Sequence, residues 1–218
     1  MSYPIFSRCG ILMIKLPRDE VITTFPAILA IDACAVWNIL CSQRLTVAAK
    51  CGKRHFVLAE YVRYECLVKP RKKPLTEIEI AHKCRLNDEL QSGKHFSSCS
   101  LEVEDLVNMM NTLGAVNLKR FHQGEFAALA LARKLHNGFL TDDLAARRTG
   151  EDTLGADRVR TTPHLVGWLV YESKLSDGDI PTIKADNRAF RMAYGYLGEF
   201  IDVCYEHALG LRMRKYSS

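Results

Sequence analysis

The side chains best suited to chemistry in this chain are carboxylates, and their spacing is uneven in an informative way. Asp32 follows the short apolar run Ala27-Ile28-Leu29-Ala30-Ile31, and Asp142-Asp143 follow Phe139-Leu140. Glu125 stands beside Gly124 at the head of a small and apolar run that extends to Leu135. Each acid alone has a plain structural use. Asp is a favoured helix N-cap, a first-turn glutamate is stabilised by the helix dipole, and Asp143 can pair with Arg147 one turn on. As a set they say more. Strand ends that open into helices are where α/β sheets bind ligands. Carboxylates gathered there raise one another's pKa values unless protons or a cation intervene. Oxygen ligands suit a hard divalent ion, and Mg²⁺ or Mn²⁺ held by one or two of them can serve phosphodiester hydrolysis.

The elements that must position these acids are legible from apolar runs and breakers. Residues 27–32 and His55 to Leu58 read as buried strands, each leading into a helix: Ala33 to Cys41, and Glu60 to Leu67. Glu60 and Glu65 lie five positions apart, about 140° round a helix, so both cannot face one site. Glu65 is preferred, because Glu60 is explained as a helix-start charge. Thr76 opens a helix that Gly93 closes, Phe96 to Leu101 reads as a strand, and Glu102 to Leu113 as a helix with Val103, Leu106, Val107 and Met110 on its apolar face. Asn137-Gly138 stops the helix of Glu125, and Phe139-Leu140 form a brief strand. Val159 to Thr162 is a last strand, Pro163 to Lys174 an amphipathic helix, and residues 182–209 two helices broken near Tyr194-Gly195. Strands alternating with helices predict an α/β fold, a three-layer sandwich with a central, mostly parallel sheet.

Composition excludes several classes. At 218 residues with a formal charge of +5, the chain can build one good core, and its mild basicity fits an anionic partner such as RNA without demanding one. The eight cysteines include no C-x-x-C pair, which leaves zinc-ribbon and thioredoxin-like motifs unsupported. Ile11-Leu12-Met13-Ile14 is too short for a secretory core, and no apolar run approaches the roughly 20 residues of a membrane helix. A cytoplasmic location is expected. There is no G-x-x-x-x-G-K-[ST], G-x-G-x-x-G or H-E-x-x-H motif.

Three blocks carry a resemblance to the PIN-domain ribonucleases, and among them the VapC-like toxins: AIDACAVWNIL (30–40), LAEYVRYECL (58–67) and GEFAALALARKLHNGFLTDDLAAR (124–147). TPHLVGWLVYESKL (162–175) with the DGDI after it is similar to the closing helix of one VapC-related branch. The resemblance covers most of residues 27–181. It implies Asp32, Glu65, Glu125 and Asp143 as the catalytic, metal-binding acids, with Asp142 as an auxiliary ligand or in exchange with Asp143. Glu125 stands where many members have Asp. It further implies an Mg²⁺- or Mn²⁺-dependent endoribonuclease acting on an RNA substrate, with an antitoxin protein and a homodimer as partners. Thr141 would add a hydroxyl, and Arg147 and Lys72, the latter in the basic loop Lys69 to Pro74, would meet substrate. A PIN-fold module that binds RNA or protein without turnover is the alternative. The expected organisation is an N-terminal extension (1–26), a PIN-like domain (27–181) and a C-terminal helical extension (182–218).

Overall fold

The computed structural model describes residues 2–7, 10–71, 73–118, 121–190 and 195–217. In chain order the elements are β1 (Ser2–Ser7), β2 (Gly10–Lys15), α1 (Asp19–Thr23), β3 (Ile28–Ile31), α2 (Ala33–Leu40), α3 (Gln43–Cys51), β4 (His55–Ala59) and α4 (Glu60–Leu67). There follow α5 (Glu77–Ser92), β5 (Phe96–Cys99), α6 (Val103–Leu118), α7 (Gln123–Lys134), β6 (Gly138–Leu140), α8 (Leu144–Leu154), β7 (Val159–Arg160), α9 (Thr162–Tyr171), α10 (Asp179–Phe190) and α11 (Gly195–Ser217). They form two compact units. One comprises Met1–Phe25, Cys41–Gly52 and Thr162–Ser218, the other Pro26–Leu40 and Lys53–Thr161.

The second unit is an α/β sandwich built on a five-stranded sheet of order β5-β4-β3-β6-β7, parallel throughout. Successive residues of β3, β4 and β6 are buried. Neighbouring side chains on a strand point to opposite faces, so both faces of the sheet are covered and the fold has three layers. The near-continuous apolar runs of the sequence have this cause. Edge strand β5 is only half-buried, anchored by Phe96 against Phe56 with ring centroids 5.1 Å apart. The strand that comes first in this unit, β3, is central; the chain then builds outward through β4 and β5 and returns on its other side as β6 and β7. That order places a topological switch between β3 and β6, where neighbouring strand ends diverge into opposite connections.

Local signals fix the helices. Thr76 and Glu79 form a reciprocal capping box at the head of α5, and Gly93 ends that helix at φ 64°, a left-handed turn that favours glycine. In α6 the inward residues are Met109 and Leu113, whereas Val103, Val107 and Met110 are 73%, 46% and 47% exposed. The apolar face expected for this helix is therefore on its solvent side. The sequence carries two overlapping apolar stripes, and packing on α7 selects the other one.

The first unit gathers around α9, which packs on α1, α3 and α11. Every residue from Thr162 to Val170 is buried, so α9 is a core helix apolar nearly all round and not the amphipathic helix of the sequence reading. Gly167 permits its close approach: a Cβ there would lie 2.8 Å from Ile22 Cδ1 and 3.0 Å from the Cys204 carbonyl oxygen. Phe25 stacks on Trp168 at 5.5 Å, and His164 meets Phe200 edge-on at 5.2 Å. β1 and β2 pair as an antiparallel hairpin, with Ser2 opposite Lys15 and Ser7 opposite Gly10. The expected break near Tyr194-Gly195 falls partly on residues 191–194, outside the described residues. Among the described residues seven cysteines are free thiols, and no helix is long and apolar enough to cross a membrane.

Candidate functional site

The second unit brings the acids to the switch point. Asp32 directly follows β3, and its backbone N–H donates to the Leu140 carbonyl of β6 (3.1 Å), which ties the two strand ends together. Its side chain is 1% exposed. One oxygen, Oδ1, accepts from Ala35 N–H at 2.7 Å, the N-cap role available to any aspartate at this position. The other, Oδ2, accepts from the Thr141 hydroxyl at the end of β6. Thr141 Oγ1 in turn accepts from Asp143 N–H at 3.2 Å. One buried hydroxyl thus links the acid after β3 to the pair after β6.

Burial is the main influence on Asp32. It lifts the carboxyl from 3.8 to about 7, against the lowering effects of Thr141 and Ala35, and the charges of Asp142 and Glu125 push in the same direction as burial. Glu125 is also held above the ordinary carboxylate range, first by burial and then by Asp143 and Glu65, while the His122 N–H opposes the rise. All five acids therefore lie within electrostatic reach of Asp32 or Glu125. Asp142 Oδ2 accepts from the Asn38 amide at 2.7 Å. Asp143 Oδ1 caps α8 through Ala146 N–H at 2.8 Å. Glu125 Oε2 accepts from His122 N–H at 3.1 Å across the first turn of α7. Glu65 pairs with Lys69 at 2.8 Å, and its carboxylate lies over Gly124, where any Cβ would collide with it. Glu60 instead points at Arg63 (3.0 Å), so Glu65 is the α4 glutamate that joins the set.

The remaining candidates divide. Thr141 sits at the centre of the network. The Arg147 side chain engages Glu151 at 2.9 Å, although its backbone N–H donates to the Asp143 carbonyl. Lys72 lies outside the described residues. Arg148, one turn beyond Asp143 and exposed, makes no side-chain hydrogen bond or ion pair among the described residues. Asn38 was not singled out from the sequence, yet it had a signal: a lone amide within the otherwise apolar ACAVWNIL of α2, 4% exposed in the structure. A buried amide must find a partner.

The donor set is chemically right for a hard divalent cation, being oxygen throughout, and Mg²⁺ needs only one or two carboxylates directly. Among the described residues no three His, Cys, Asp or Glu side chains are drawn together at ligating distance. Several of the acids are turned towards the helix-capping and ion-pair partners given above. The nearby Cys66 thiol offers no competing soft ligand, since burial and the neighbouring Glu65 and Asp32 push its pKa far up and keep it protonated. No protein-family model, curated protein or solved structure matches the chain. Fold and site together define a parallel α/β sandwich with a carboxylate cluster at its switch point.

Proposed function

We propose that this chain is a divalent-metal-dependent endoribonuclease that hydrolyses RNA phosphodiester bonds at the β3/β6 switch point. The observation that carries the reading is Asp32, wholly buried, held up to about 7, with further acids pressing on it. Such a group destabilises the fold at neutral pH unless positive charge joins it. Asp32 and Asp142, with Asp143 and Glu125 beside them, would hold Mg²⁺ or Mn²⁺. When bound, the ion supplies a water acidic enough to attack and offsets charge on the leaving oxygen.

The chain's own groups do the rest. Ala35 N–H and the Thr141 hydroxyl fix both oxygens of Asp32, and the Asn38 amide fixes Asp142. Glu125, half-buried and held above the ordinary carboxylate range by burial and by Asp143 and Glu65, adds a further oxygen donor to the site. Glu65 closes the site over Gly124. Arg148 is the exposed cation nearest in sequence to the acid pair and suits a substrate phosphate. The likeness to PIN-domain ribonucleases supports RNA as substrate. On the same reading the chain is the toxin of a toxin–antitoxin pair, with an antitoxin and a second copy of itself as partners.

The test is cleavage of a labelled single-stranded RNA by wild type and Asp32→Asn, in Mn²⁺ and in EDTA. Cleavage by the wild type that EDTA abolishes and that Asp32→Asn loses is expected. Equal rates in the two proteins sink the reading, and RNA binding with no turnover in Mn²⁺ leaves only the silent module.

A further inference from the structure

Far from the acids, at the C-terminal end of α7, the second unit carries a cavity of about 530 Å³ between that helix and α6. Lys134 lies nine positions beyond Glu125, roughly 14 Å along the helix, so this is a different place from the switch point. Its wall is made by Asp105, Asn108, Asn111 and Thr112 of α6, by Ala130, Arg133 and Lys134 of α7, and by His136.

Arg133 presents its guanidinium at the mouth of the cavity and is exposed. Among the described residues the hydrogen-bond partner of its guanidinium is the neutral hydroxyl of Thr112 on α6, and it pairs with no carboxylate. Basic residues in a last helical turn usually answer the helix dipole and the free carbonyls. Here another residue does that. Arg158 donates to the Ala132 carbonyl (3.1 Å) and to that of Asn137 (2.7 Å). Lys134 is likewise accounted for, held by Asp105 at 2.6 Å, with two of its three ammonium protons still available.

His136 completes the wall from just beyond the helix, at φ 52°. That left-handed turn is the stop of α7, closed by the Asn137 N–H on the Ala132 carbonyl (3.0 Å) and the His136 N–H on that of Arg133 (3.1 Å). Opposite stand Asn108 and Asn111, one turn apart on α6, whose side-chain amides make no hydrogen bond among the described residues. The one carboxylate in the wall, Asp105, is neutralised by Lys134, and the guanidinium fork, two amides and imidazole that remain are complementary to an anion with several acceptor oxygens. The volume lies within the range of small-molecule sites.

We infer that this cavity binds a phosphate group, carried by a mononucleotide or by a polynucleotide backbone, with the Arg133 guanidinium as its principal contact. The amides of Asn108 and Asn111 supply further donors, and Lys134 adds an ammonium donor without leaving Asp105.

Titration of the wild type and Arg133→Met with inorganic phosphate, 5′-AMP and a short single-stranded oligoribonucleotide tests this. The signals of Asn108, Asn111 and His136 would be followed by NMR, in EDTA, so that no cation contributes. Met keeps an apolar stem at an exposed position, and Arg133→Lys keeps the charge without the fork. Saturable shifts that weaken at least about tenfold in Arg133→Met are expected, with Arg133→Lys in between. A response to phosphate and AMP identifies a free ligand, and a response to the oligonucleotide alone identifies a strand backbone. Either supports the site. No response to any of the three, or equal affinity in wild type and Arg133→Met, overturns it. An inactive nuclease assay would leave this result untouched.

Discussion

Replacing Asp32 by Asn removes the most strongly perturbed carboxyl in the site while nearly preserving its shape, and its effect on stability can be worked from the structure. Folding lifts this group from 3.8 to about 7. Between those values the folded chain keeps a proton that the unfolded chain gives up. The group's contribution to stability is therefore complete below pH 4, is lost as pH rises through about 7, and is constant above. The rise corresponds to about 4 kcal/mol. The amide can still accept from Ala35 N–H, but it loses the acceptor for the Thr141 hydroxyl, which costs about 1 kcal/mol. Asp32→Asn should then be about 3 kcal/mol more stable than wild type at pH 8 in EDTA, and no more stable at pH 4. Urea unfolding at intervals from pH 4 to 8 measures this. Millimolar Mn²⁺ should stabilise the wild type at pH 8, where the carboxyl is ionised, and leave Asp32→Asn unmoved. Parallel pH profiles for the two proteins, or a variant less stable at pH 8, would refute the reasoning that Asp32 is a buried acid held without a counter-charge.

Gly124→Ala tests the seat of Glu65. The added methyl meets the flexible end of the glutamate and no backbone atom nearby, and alanine gains up to about 1 kcal/mol in helix propensity. Stability should change by less than about 1 kcal/mol while the Mn²⁺ midpoint for thermal stabilisation moves to higher concentration; an unchanged midpoint detaches Glu65 from the site. On α6, Met109→Ala should cost about 2–5 kcal/mol and Val107→Thr less than about 0.5, measured by urea unfolding. The reverse order would show that Val103, Val107 and Met110 form the buried face after all.

Much of the frame was legible because its signals are local. The run AILAID must be a strand covered on both sides, and Thr76 with Glu79 must open a helix. Topology brings Asp32 and Thr141 together across 109 positions; the position of both at strand ends that open into helices is legible in the sequence, but which strands are neighbours is not. Side-chain direction was less accessible. Leu106, Met109 and Leu113 make as good a stripe on α6 as Val103, Val107 and Met110, and periodicity cannot choose between them. The sequence carries only a faint signal for α3, although Ser42 caps it through Leu45 N–H, because its inward side is Leu45, Ala48 and Ala49 with the polar Thr46 among them. Asn38 was overlooked for a different reason. A single amide says that a partner exists, not which one.

The interleaving of the two units has a practical bearing on dissecting the protein. Residues 41–52 interrupt the second unit in sequence yet pack with α9 and α10 of the first. A fragment cut at Thr161 to isolate the sheet would carry α3 without those packing partners, leaving Leu45, Ala48 and Ala49 wet. A soluble excised domain therefore calls for a short polar bridge from Leu40 to Lys53, not for a simple truncation.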